Sequence, residues 1–101
     1  MHVRVDPRHF ANEPLTLRLI GHLDYRVMIA GYAAGRIFMV MRGGMREVWL
    51  WTLTGPYCGS ADINTSGECE MMQEARLAFR ETFDRWLAWA IRQNAEVSWH
   101  Q

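Results

Sequence analysis

The sequence contains no lysine: all 11 basic residues are arginine. Arginine forks make bidentate, stacked and partly buried contacts better than lysine does, so this surface is stickier than an average one. Net charge is missing as well, because 11 acids balance the 11 arginines. That balance argues against a strongly basic nucleic-acid binder and against an acidic nucleic-acid mimic. No run approaches the ~18–20 apolar residues of a membrane span. The opening residues, Met1-His2-Val3-Arg4-Val5-Asp6-Pro7, hold no apolar h-region. The expectation is a cytoplasmic protein with no membrane partner. Cysteine is scarce: Cys58 and Cys69 lie too far apart for a redox pair or a zinc knuckle. In a reducing compartment both stay free thiols.

What is present is a globular balance, with half of the 101 residues apolar and 22% charged. A chain of this length forms one domain. Residues 1–14 have no hydrophobic period and carry Pro7 and Pro14, so they are expected to form an irregular N-terminal arm before a single domain over 15–101. Leu15, Leu17 and Leu19 alternate with Thr16 and Arg18, as an edge strand does. A second strand follows around Tyr25, Val27 and Ile29, and Ala30-Gly31 suits a tight turn. A third runs from Tyr32 to Met41, where Gly35 suggests a bulge or a close backbone approach. Glu47–Thr54 is the clearest strand, after a loop at Arg42–Arg46. Residues 55–67 read as a polar loop. Thr65 to Glu68 then fits a capping box, and a helix stripe of Met72, Ala75, Phe79, Phe83, Trp86 and Ala90 runs to about Asn94. The predicted architecture is α+β: a three- to four-stranded antiparallel meander packed against one long C-terminal helix, in the order β-β-β-α.

A five-residue loop at 42–46 sets Met41 opposite Glu47, Met39 opposite Trp49 and Ile37 opposite Trp51. One sheet face then shows Ile37, Met39, Trp49, Trp51 and Leu53. The other shows Phe38, Val40, Val48 and Leu50, edged by Arg36 and Thr52. One helix covers one face, and an antiparallel sheet usually leaves the second polar. Here the second is apolar, so the arm (Phe10, Leu15, Leu17), a second copy or a foreign protein is expected on it. On the helix, Leu77, Arg85 and Trp89 lie off the main stripe, and Trp with Arg is an interface composition.

Catalytic chemistry finds no convergent constellation. His2, His9, His22 and His100 are scattered, and Ser60 and Asp62 have no histidine near them in sequence. No catalytic residue, metal ligand set or cofactor is therefore expected. Asp62, Asn64, Ser66 and Gly67 mimic the start of a calcium loop, but Gln73 stands where a bidentate Glu is needed. The charge is unevenly split: residues 1–46 hold seven arginines and three acids, and residues 47–101 hold four arginines and eight acids. Arg36, Arg42 and Arg46 are accordingly the candidate phosphate contacts, with Tyr25 and Tyr32 nearby for stacking.

Tyr25-x-Val27, Gly35-Arg36-Ile37, Trp49-x-Trp51, Gly55 and Glu74-Ala75 with Phe79 and Trp86 resemble the motifs of a family of small single-domain bacterial proteins. The β-β-β-α order is also similar to the half-domain of double-stranded-RNA-binding folds in small antitoxin-like proteins. The resemblance implies the fold and supplies no catalytic residue. The sequence thus leads first to a non-catalytic protein-interaction module, a homodimer or a partner binder, acting through Phe38, Val40, Val48, Leu50, Leu77, Arg85 and Trp89. The alternatives are a nucleic-acid-binding or antitoxin-like regulator using Arg36, Arg42 and Arg46, and a mobile-element-encoded inhibitor of a host enzyme.

Overall fold

The computed structural model describes residues 2–58 and 61–100; Ser60, weighed above, lies outside them. The class is α+β, with more strands than the sequence suggests. The strands are β1 (His2–Val5), β2 (Leu15–Gly21), β3 (Asp24–Ile29), β4 (Tyr32–Arg42), β5 (Arg46–Leu53), β6 (Ser66–Cys69) and β7 (Val97–His100), and the helix α1 spans Met72–Arg92. Strands β2 to β6 form one antiparallel meander in chain order, and β1 pairs with β7 in a separate two-stranded ribbon.

Local chemistry explains the turns. Ala30 and Gly31 both take positive φ, at 47° and 83°, the combination a two-residue hairpin turn with the right twist requires. The β4–β5 register places Met41 opposite Glu47, Met39 opposite Trp49 and Ile37 opposite Trp51, as the loop length predicts. Around Ala34 the β3–β4 ladder slips by one residue. Beside that bulge, a Cβ on Gly35 would lie 2.6 Å from the Phe79 ring and would collide with the Thr52 carbonyl oxygen. Glycine is therefore what lets α1 approach the sheet.

Helix α1 lies over the face that carries Ile37, Trp51 and Leu53, and buries Ala75, Phe79, Phe83, Trp86 and Ala90 against it. The Trp51 and Phe79 rings meet edge to face at 6.4 Å. The helix begins later than the sequence indicates. Ser66–Cys69 pairs with β5, so the Thr65 to Glu68 pattern caps nothing. The capping contact is one turn on, where the Met71 amide donates to the Glu74 carboxylate at 3.1 Å.

Residues 2–14 are not an irregular arm. His2–Val5 is a strand, and Pro7–Phe10 forms a 3-10 turn started by Asp6, whose carboxylate accepts from the Arg8 amide at 3.0 Å. Phe10 is 0% exposed. It packs against Trp99 at 4.8 Å, Tyr32 at 5.6 Å, Phe83 at 6.0 Å and Trp86 at 6.1 Å between ring centroids. Trp99 also donates from its indole nitrogen to the Ala33 carbonyl at 3.2 Å. This aromatic cluster fastens the β1–β7 ribbon to the end of the main sheet. Phe10, Leu15 and Leu17 all pack on the helix side, so the arm does not cover the second sheet face.

Candidate functional site

The cross-strand registers assign the second face of the sheet, which α1 leaves open. Phe38 stands opposite both Asp24 and Leu50, Leu50 opposite Glu68, and Val40 opposite Val48. One step toward the β3–β4 turn, a single row crosses the sheet: Arg18 faces Arg26, Arg26 faces Arg36, Arg36 faces Thr52, and Thr52 faces Ser66. At the hairpin end Arg42 faces Arg46. Within the strands this face therefore carries five arginines against two carboxylates, Asp24 and Glu68.

The two carboxylates are not shared evenly. Asp24 takes a bidentate contact from Arg36, with Nε at 2.8 Å and an Nη nitrogen at 2.7 Å. That hydrogen-bonded pair holds the Asp24 carboxyl below its ordinary range and raises Arg36, while Arg26 adds a smaller through-space pull on Asp24. Glu68 takes Arg42 at 3.1 Å and Arg46 at 3.9 Å. Among the described residues no carboxylate forms an ion pair with Arg18 or Arg26.

These pairs also explain how an apolar face survives without a second helix. Arg36 lies over the Phe38 ring, 3.9 Å from its centroid. The register puts Arg42 and Glu68 at opposite corners around Val48, so their bridge crosses above that side chain, and Val48 is 1% exposed. Arginine stems cover the apolar surface while their heads stay in water. Of the interaction residues predicted from sequence, Phe38, Val40 and Leu50 are half-buried under this charged roof. Leu77 and Arg85 are exposed on the helix, and Trp89 is half-buried against the core. The three predicted phosphate contacts, Arg36, Arg42 and Arg46, all hold an acid. The unpaired Arg18 and Arg26 were visible in the sequence only as polar positions alternating with leucine, tyrosine and valine. Register alone lines them up.

Arg26 also borders a cleft of about 900 Å³ at the end of the sheet, walled by Thr54, Tyr57, Cys58, Thr65 and His100. Burial pushes the Cys58 thiol up to about 11, so it stays protonated near neutrality and is a poor nucleophile. A second cavity of about 370 Å³ opens on the helix side between α1 and β2, lined by Leu15, Leu17, Val27, Leu77 and Phe79 with Arg76 and Arg80 at its edge. Among the described residues no three histidine, cysteine or acidic side chains cluster as a metal site would need, and no helix is long and apolar enough to cross a membrane. No protein-family model fits the chain, and no curated protein or solved structure matches it.

Proposed function

We propose that the protein is a non-catalytic binding module whose working surface is the open face of the five-stranded sheet, and that its partner is single-stranded nucleic acid. The observation that carries this reading is the in-register row Arg18, Arg26, Arg36. Like charges directly opposite one another destabilise a sheet, and the three occupy only about 10 Å of sheet width. An external polyanion relieves that repulsion. A sheet five strands wide is too broad for the major groove of a duplex, which admits a helix or a two-stranded ribbon. A flat face tracking one backbone suits a single strand.

Fluorescence anisotropy with labelled single-stranded RNA and DNA across a salt series tests the reading. Each phosphate neutralised contributes about −0.7 to the slope of log affinity against log salt. The double change Arg18→Ala, Arg26→Ala is expected to flatten the slope by about 1.4 and weaken every sequence alike. Absence of oligonucleotide binding at low salt would sink the proposal. Equal binding of polyglutamate would replace it with an acidic protein partner.

A further inference from the structure

The cleft beside Arg26 has a chemistry that core packing does not explain. Tyr57 is 59% exposed, yet its segment is rigidly placed. Its amide donates to the Ser98 carbonyl at 3.0 Å, and the His100 amide donates to the Gly55 carbonyl at 2.6 Å. Gly55 is clamped in turn, because a Cβ there would lie 2.6 Å from the Ala33 carbonyl oxygen and would strike the Trp99 ring. Three rings follow one another along this edge: His2 and His100 at 4.3 Å between centroids, then His100 and Tyr57 at 6.4 Å. An exposed ring held by fixed backbone is a stacking platform whose ordering cost is already met. The room available, about 900 Å³, lies within the range of small-ligand sites. Thr54 and Thr65 bring hydroxyls to it, and Arg26 brings the cation. Burial keeps the Cys58 thiol protonated, and among the described residues lining the cleft there is no carboxylate side chain to repel a phosphate.

Resting on the single-strand reading above, we infer that this cleft takes one unstacked base of the bound strand, stacked on Tyr57, with the adjoining phosphate on Arg26. The row of arginines tracks the backbone, and the cleft beside its middle member, Arg26, holds a nucleobase. Stacking of this kind is sequence-tolerant, because every base offers a π face.

Two perturbations test it, one on each partner. Tyr57→Ala is expected to weaken binding of a single-stranded 10-mer roughly five- to 150-fold while leaving the salt slope unchanged, and Tyr57→Phe is expected to retain the affinity. An abasic oligomer of the same length, offered to the unaltered protein, is expected to lose affinity and to become insensitive to Tyr57→Ala. If the natural oligomer binds with the salt dependence given above but both perturbations change affinity by less than about twofold, the cleft inference is overturned and the arginine row stands. If no oligomer binds, both readings fall together.

Discussion

Among the described residues Asp24 is the one carboxylate that pairs with the arginine row, through Arg36. The hydrogen bonds from Arg36 lower its folded pKa, so the pair's contribution to stability is complete above the unfolded value of about 3.9. It is lost as pH falls through the lower folded value. Thermal unfolding should therefore be insensitive to this pair from neutrality to about pH 4 and should weaken below it. Asp24→Asn should remove that acid-side slope. The same change frees Arg36, so oligonucleotide affinity at pH 7 should rise in the anisotropy assay. A lower affinity would show that Asp24 positions Arg36 rather than restraining it. None of this was legible from residue order, because Asp24 and Arg36 meet only through a β3–β4 register that includes a bulge.

The elements were legible wherever a period of two or 3.6 survives in the chain. Strands β2 and β3 alternate, β4 and β5 show instead as aromatic and β-branched runs bounded by turn residues, and the α1 stripe from Ala75 to Ala90 is buried where the spacing places it. Strand β6 escaped because Ser66-Gly67-Glu68-Cys69 has no apolar alternation. Its glycine exists for a neighbour: a Cβ on Gly67 would lie 2.5 Å from the Trp51 indole nitrogen. Polar and small residues that look like a helix cap were an edge strand shaped around one indole. Gly35 plays the corresponding role under α1. Gly35→Ala is expected to destabilise the fold by about 1–3 kcal/mol, the usual cost of overpacking, with the loss read by urea denaturation. A stability within 0.5 kcal/mol of the parent would mean that the helix can lift away from β4 at little cost, on the order expected of an unstrained surface change.

The whole molecule is elongated, with extents of 47 × 25 × 25 Å, and residues 2–5 are tied to residues 97–100 by the β1–β7 ribbon. That closure was invisible in the sequence for a physical reason. It joins residues nearly a chain length apart, and a single aromatic, Phe10, anchors its entry segment. The signal was faint: Val3 and Val5 at one end, Val97 and Trp99 at the other, each in brief alternation. Phe10→Ala should cost about 3–5 kcal/mol. Amide hydrogens in β1 and β7 should then exchange much faster than those in β4 and β5, because the ribbon loses its anchor before the meander does. Uniform acceleration across all strands would instead show one cooperative unit.

The ribbon's register also determines its response to force. His2 stands directly opposite His100, with Val5 opposite Val97 at the far end. A load applied between residues 2 and 100 therefore falls on the outermost hydrogen bonds first and peels the ladder in sequence, rather than shearing all of its bonds together. The joint that completes the aromatic core therefore opens one bond at a time under such a load. Tension there would carry His2 and His100 away from Tyr57 while the arginine row on the main sheet stayed in place.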